Sequence, residues 1–424
     1  MERGTRRTVV SALAVVTAAL SVLAGTARSA PGLLIGVDDD TLKWTEDTAQ
    51  VFAAHKDAGF GSVRVTLQWR PGQTIADDDG RTYLRRAQNA AFLGERIVLA
   101  VYGPASSPPT TPDAQAQYCS YVVDSLSRSR RIRDVVIWNE VNSALFWKPQ
   151  QGSAAAYESL LATCYDAIHR FRKNINVISS TSPHESPGAF IAQMGAAYKA
   201  SGRTLPIFDT YGHDAYPEVS TESPLSSHVG TLSLDEGDYL RLVQALTAAF
   251  GNTGQPVPGA GNVPSGGFAP SGAVMSSATG FITGTTLGGP VTIWYLEDGF
   301  ETVVPTTKRA AYTGRESNRQ LVQPVAVRRT AATAPDQASQ FRDALALAFC
   351  QPAVGAFFNF ELQDEVGLGG WQSGFLWADG TPKPSYRAAK DTIATVAAGQ
   401  VDCSRFAAST GAQLAPVTTT ATAP

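Results

Sequence analysis

The chain has 424 residues, enough for one large barrel domain or two to three ordinary ones. Apolar residues make up 43% of it, which supports a full core and excludes a disordered chain. The formal charge of −3 is nearly balanced, so nothing in it points to a nucleic-acid or membrane-surface partner.

The first thirty residues have the layout of an export signal. Arg3, Arg6 and Arg7 form a positive start, and Val9 to Ala24 is a mostly apolar run of 16 residues. The small residues Gly25-Thr26-Ala27-Arg28-Ser29-Ala30 follow, placing cleavage near Ala27 to Ala30. An uncleaved membrane anchor is the alternative, but the run is short for a span. Arg6-Arg7 also permits a twin-arginine signal. Residues 1–30 are therefore expected to leave a secreted protein without stable membrane association.

From there strand-like and helix-like runs alternate. The strand runs are Leu33 to Val37, Ser62 to Trp69, Arg96 to Tyr102, Arg133 to Trp138, Asn176 to Ser180, Ile207 to Tyr211, Val291 to Leu296 and Val354 to Phe360. The helical patterns between and after them are Ala49 to Ala58, Tyr83 to Gly94, Asp113 to Arg128, Ala154 to Phe171, Ala189 to Ala200, Asp235 to Phe250, Asp336 to Phe349 and Ser385 to Ala397. Several strand runs are apolar without alternation, as parallel strands buried on both faces must be. Eight such units predict a single-domain α/β protein, a (β/α)8 TIM barrel over residues 31–405. An open doubly wound sheet could use the same alternation, but no Gly-rich phosphate fingerprint follows any strand.

Two segments interrupt the rhythm. Residues 252–290 are rich in Gly, Pro and Ser, and Ala278-Thr279-Gly280 could turn a hairpin there. Residues 298–335 follow strand seven, on the face where βα loops build the substrate cleft. That loop carries Lys308, Arg309, Arg315, Arg319, Arg328 and Arg329 against Asp298, Glu301 and Glu316. It reads as a solvated charged run, with an anionic glycan as the sharper alternative. Residues 406–424 read as a disordered Ala/Thr-rich tail.

Export makes disulfides possible. Cys119 falls on helix three and Cys164 on its neighbour, helix four; Cys350 ends helix seven and Cys403 follows helix eight. The barrel order therefore pairs Cys119 with Cys164 and Cys350 with Cys403. With no CxxC or Cys/His cluster and only five scattered histidines, no zinc site is expected.

Two glutamates end apolar strands in different halves of the chain. Glu140 closes Val135-Val136-Ile137-Trp138-Asn139-Glu140, and Glu297 closes Val291-Thr292-Ile293-Trp294-Tyr295-Leu296-Glu297. A carboxylate at the C-terminal end of a barrel strand faces the side where such barrels do chemistry. Strands four and seven lie nearly opposite each other, so a sugar ring could sit between the two. Breaking a glycosidic bond takes such a pair, one group delivering a proton and the other attacking or activating water. Capping a helix or pairing with an arginine is the alternative use of each, and Asp298 is the nearest competitor of Glu297.

Trp138-Asn139-Glu140-Val141-Asn142 resembles the Asn-Glu motif that ends strand four in clan A glycoside hydrolases, which include families 5, 10 and 39. The resemblance covers the barrel as an architecture and the strand ends closely. It implies that Glu140 is the general acid/base and Glu297 the nucleophile of a retaining enzyme, with carboxyls about 5–5.5 Å apart. It implies no cofactor and no metal, and a β-linked carbohydrate as the partner of a monomer. It also implies that Asn139 bonds the sugar 2-hydroxyl and that Arg64, a charge inside strand two, orients the nucleophile and keeps it ionised.

Two strand ends depart from the clan pattern. Strand six carries His213-x-x-Tyr216 in place of His-x-Tyr, which leaves open which of His213, Asp214 and Tyr216 reach the substrate site. Strand eight ends in Phe357-Phe358-Asn359-Phe360-Glu361 and lacks the clan's tryptophan; Trp371, in the following loop, could replace it as a sugar platform. Asp38, Asp39 and Asp40 end strand one and read as a solvated acidic loop or as sugar ligands. A non-catalytic glycan-binding barrel is the rival function. A lyase or esterase has less support, since no Gly-x-Ser-x-Gly elbow is present.

Overall fold

The computed structural model describes residues 32–258, 273–276, 280–283, 291–316, 320–325 and 335–406. The expected signal segment, the tail beyond 406 and most of 252–290 lie outside these. Eight parallel strands close on themselves: β1 (Leu34–Asp38), β2 (Ser62–Gln68), β3 (Arg96–Tyr102), β4 (Asp134–Ile137), β5 (Asn176–Ile178), β6 (Thr210–His213), β7 (Thr292–Asp298) and β8 (Val354–Phe360). The order around the barrel is β1-β8-β7-β6-β5-β4-β3-β2, so each strand lies beside its sequence neighbours. The helices α1 (Thr48–Ala58), α2 (Asp78–Leu93), α3 (Pro112–Ser127), α4 (Ser153–Phe171), α5 (Pro187–Ala200), α6 (Tyr239–Phe250), α7 (Gln337–Cys350) and α8 (Tyr386–Ala397) alternate with them. The expected (β/α)8 barrel is the architecture observed. Among the described residues, no helix is long and apolar enough to cross a membrane.

Local signals explain where elements begin and end. Asp47, Asp77 and Thr111 cap α1, α2 and α3 by accepting from backbone N–H groups of the first turn. Gly59 and Gly94 end α1 and α2 at φ of 101° and 111°, where a Cβ would be strained. The main core lies between the strands and the helix ring. Inside the barrel, Arg96 grips Asp134 with two bonds of 2.8 Å, and Asn176 and Thr210 extend that polar network. A compact apolar cluster of Val98, Ala100, Val136, Ile178, Trp294, Leu296, Ala356 and Phe358 also fills the interior. Together these make the barrel a packed core rather than a pore.

Several expected boundaries move; helix two begins at Asp78 rather than Tyr83, behind the Asp77 cap. Strand six begins at Thr210 rather than Ile207, because the N–H groups of Ile207 and Phe208 bond the Gln255 side chain instead of the sheet. Helix six begins at Tyr239; Asp235 caps a separate 3-10 turn, Glu236–Asp238. Within 252–290, the short strands Ala273–Ser276 and Gly280–Thr283 pair antiparallel, as the hairpin expectation required.

Both expected disulfides are present, Cys119–Cys164 between α3 and α4 and Cys350–Cys403 from the end of α7 to the turn after α8. They close sequence spans of 45 and 53 residues. Loop-closure entropy for spans of that length is worth about 4 kcal/mol each. The double substitution Cys350→Ser/Cys403→Ser should therefore lower unfolding stability by up to about 4 kcal/mol, read as a shift in the denaturant midpoint with unchanged slope.

Candidate active site

The C-terminal ends of the strands converge on the guanidinium of Arg64. Its residue is 1% exposed, deep enough that a charge there must be paired. One nitrogen, Nη1, donates to Glu297 Oε1 at 2.6 Å and also to Asp38. The other, Nη2, donates to Asn139 Oδ1 at 2.5 Å. Burial works against the Arg64 charge, but the charges of Asp38 and Glu297 outweigh it and hold the cation. One side chain from β2 thus ties together the ends of β1, β4 and β7.

Glu297 reaches this point through a bulge. Tyr295 pairs with Phe357 and Asp298 with Asn359, so β7 uses one residue more than β8 over the same stretch. Such an insertion re-aims side chains. Here it sends Glu297 toward Arg64. Asp298 is fully buried, accepts from the Gly299 N–H at 2.7 Å, and is pushed up to about 8 by burial. The second Glu297 oxygen accepts from the Tyr216 hydroxyl at 3.1 Å. Burial and the Glu297 charge keep that phenol protonated, as a donor must be.

After β4 the chain bends sharply. Trp138 and Glu140 adopt φ of 66° and 37°, left-handed values that cost roughly 1–3 kcal/mol each for ordinary residues. Trp138 holds the bend: its indole donates to the Phe146 carbonyl at 2.8 Å and packs edge-on against Trp69 and Trp147. The Glu140 N–H is fixed by Ser180 Oγ at 2.9 Å. Between the two bent residues, Asn139 points at Arg64. The Glu140 carboxyl is pushed up to about 8, first by burial and then by the charges of Glu297 and Glu185. It therefore carries its proton at neutral pH.

The strand-six end separates the three residues left open by the sequence. Tyr216 touches Glu297. His213 is fully buried, with Nδ1 2.9 Å from Thr181 Oγ1 and Nε2 2.5 Å from the Leu234 carbonyl, so neither ring nitrogen is left for a sugar. Burial depresses it to about 4, and it stays neutral. The expectation that His213 binds substrate gives way to that of a buried pin between two loops. Asp214 is buried with neither carboxyl oxygen hydrogen-bonded. Burial, then Glu297 and Glu140, drive its pKa far up, making it a neutral acid beside the pair.

Trp371 does reach the same place. Its ring lies 4.9 Å from that of Tyr216 and 5.4 Å from that of Phe360, and it is half-buried. Phe360, at the end of β8, continues the inward alternation of Ala356 and Phe358, the one sequence signal that points to it. The acidic tripeptide that ends β1 is neither a solvated loop nor a free set of ligands. Asp38 pairs with Arg64, Asp39 lies 3.5 Å from His55, and Asp40 accepts from the Thr66 N–H and the Tyr83 hydroxyl. Asp38 and Asp39 are buried rather than solvated. In the loop after β7, Lys308 pairs with Asp379 at 2.8 Å and Arg309 donates to the carbonyls of Tyr312 and Gly314, while 317–319 and 326–334 lie outside the described residues.

No protein-family model matches the chain, and no curated protein does either. Solved structures do. A family 39 glycoside hydrolase from Bacteroides cellulosilyticus superposes with a TM-score of 0.54 at 15% identity, over 87% of this chain and 64% of that one. The chain resembles clan A glycoside hydrolases in fold. The family 53 catalytic domain of Ignisphaera aggregans gives 0.53 at 13% identity, over 86% of this chain and 98% of that domain. A subfamily 18 member of family 5 from Streptomyces cattleya, solved with GlcNAc, gives 0.52 at 14%, over 87% and 81%. The chain thus spans just under two thirds of the family 39 structure and most of the other two.

Removing the shared cation should be costly. Arg64→Met leaves Asp38 and Glu297 buried without a counter-charge, a loss of about 3–5 kcal/mol. Denaturant unfolding at neutral pH checks the size.

Proposed function

We propose that the protein is a secreted, retaining glycoside hydrolase acting on a β-linked poly- or oligosaccharide. The observation that carries the reading is the unlike treatment of two opposed carboxyls. Glu297 accepts from a buried guanidinium and a phenol. Glu140 is held protonated by burial and by the charge of Glu297 itself. A nucleophile and a general acid need such a division. The two disulfides fit an exported protein.

In this reading Glu297 attacks the anomeric carbon while Glu140 gives its proton to the departing glycosidic oxygen. The C–O bond of the substrate breaks as the glycosyl–Glu297 ester forms. Glu140, now ionised, takes a proton from water, whose oxygen displaces Glu297 and restores both groups with net retention. Arg64 and Tyr216 receive the Glu297 charge whenever it returns, and Asn139 is positioned for the sugar 2-hydroxyl. Trp371, backed by Tyr216 and Phe360, offers an apolar face to a ring. Substrate identity, and endo or exo action, are set by loop shape and not by this pair.

Screening purified protein on polysaccharides and aryl β-glycosides tests the proposal. Glu140→Gln should lower turnover by about 10²–10⁴-fold, least for substrates with good leaving groups. Glu297→Gln should abolish it for all of them. Absence of turnover by wild type across the panel, with glycan binding intact, would favour a silent binding barrel. The pH profile gives a separate check. The active form has Glu140 protonated, so kcat/KM should fall as pH rises through about 8. That alkaline limb should be missing from the residual activity of Glu140→Gln.

A further inference from the structure

The loop between β6 and α6 begins beside the candidate site, since it carries Tyr216, and runs to Asp238. Glu222, His228, Asp235 and Asp238 gather in it, away from Arg64 and the two strand-end glutamates. We propose that His228, Asp235 and Asp238 bind a divalent transition-metal cation, through His228 Nδ1 and one oxygen from each aspartate, which clamps this loop closed. The composition gave no hint of this, with one histidine in the loop and no cysteine.

The geometry rests on the two nitrogens of His228. Nε2 lies 3.0 Å from Glu222 Oε1, and Nδ1 lies 3.0 Å from Asp238 Oδ2 and 3.1 Å from Asp235 Oδ2. With its proton on Nε2, against the Glu222 carboxylate, His228 turns the Nδ1 lone pair toward the two aspartates, the arrangement that metal-bound histidines share. That lone pair then faces two carboxylate oxygens, which repel it unless something positive lies between. A proton on Nδ1 can serve one oxygen well, not two. Asp235 Oδ2 is the atom left over: its residue is 1% exposed and that oxygen accepts no hydrogen bond, although it faces the ring.

Each aspartate is anchored by its other oxygen. Asp235 Oδ1 accepts from the Gly237 N–H at 3.1 Å. Asp238 Oδ1 accepts from the Ser227 hydroxyl, the His228 N–H and Arg241 at 2.9–3.1 Å. Each is thus left with one oxygen, Oδ2, turned toward Nδ1. The three donor atoms lie within 4.8 Å of one another. Adjacent ligands of an octahedral ion, each about 2.1 Å from the metal, are separated by about 3.0 Å. The two spacings to Nδ1 match that edge. One imidazole and two carboxylates, with water completing the shell, suit Mn²⁺ or Zn²⁺ better than Ca²⁺, which takes six to eight oxygens. Glu222 lies on the Nε2 side and acts as the outer partner.

The full chain, stripped with a chelator, would be titrated with MnCl2 and with ZnCl2 at neutral pH. Calorimetry follows binding of both ions, Mn²⁺ paramagnetic resonance follows the manganese, and thermal unfolding follows stability. A single equivalent should bind and raise the melting temperature. Glu222→Gln should weaken binding about 10–100-fold, as loss of an outer carboxylate does. Asp235→Asn should abolish it, and His228→Gln is the second removal if that variant fails to fold. Failure of wild type to bind either ion overturns the proposal and leaves a protonated His228 as the bridge. Binding undiminished in a folded Asp235→Asn or His228→Gln overturns it too. No outcome depends on glycoside turnover, so the clamp and the proposed activity stand or fall separately.

Discussion

A buried guanidinium needs negative charge around it, and the top of this barrel is arranged by that need. Arg64 is the cation among Asp38, Glu297, Asp214 and Glu140. One positive charge cannot balance four ionised acids. The excess is relieved by protons: burial raises Asp214 and Glu140, so these two acids hold their hydrogens. The proton that Glu140 would deliver is thus a consequence of crowding acids around one cation in a dry site. The same cation fixes Asn139 and the ends of three strands besides its own, so geometry and protonation share one origin.

Much of this was legible in the chain. Alternating units predicted the barrel because parallel strands under helices must be apolar on both faces. The Trp-Asn-Glu run marked Glu140, and register marked Glu297. Arg64 stood out because a charge inside an apolar strand has to find a partner. The structure brings Glu297, Asn139 and Tyr216 into one hydrogen-bonded group around Arg64, and sets Trp371 against Tyr216.

What was not legible depends on single-residue shifts and on partners far away in sequence. The bulge in β7 decides that Glu297 rather than Asp298 faces Arg64, and no local pattern announces an inserted residue. Three adjacent acids look like a solvated surface loop, yet Asp38, Asp39 and Asp40 each meet a different partner. His213 looked available because its partners, Thr181 and the Leu234 carbonyl, come from other loops. The His228 cluster was hidden for a related reason: its carboxylates lie six to ten residues from His228 in a loop without regular periodicity.

The loops after β7 and β8 are interlocked. Thr313 pairs with Gly367 through the backbone, the Tyr312 hydroxyl bonds Asp364, and Lys308 pairs with Asp379. Lys383 meets Asp364 at 2.7 Å with both fully buried, and its ammonium also bonds Thr302 at 2.8 Å. Trp371 belongs to this joint wall. The two loops therefore form one inheritable module: a graft that exchanged either alone would leave the Asp364 carboxylate, the Lys383 ammonium or the Lys308 ammonium short of a partner on the one left behind. Any redesign of the cleft on this side has to move both together.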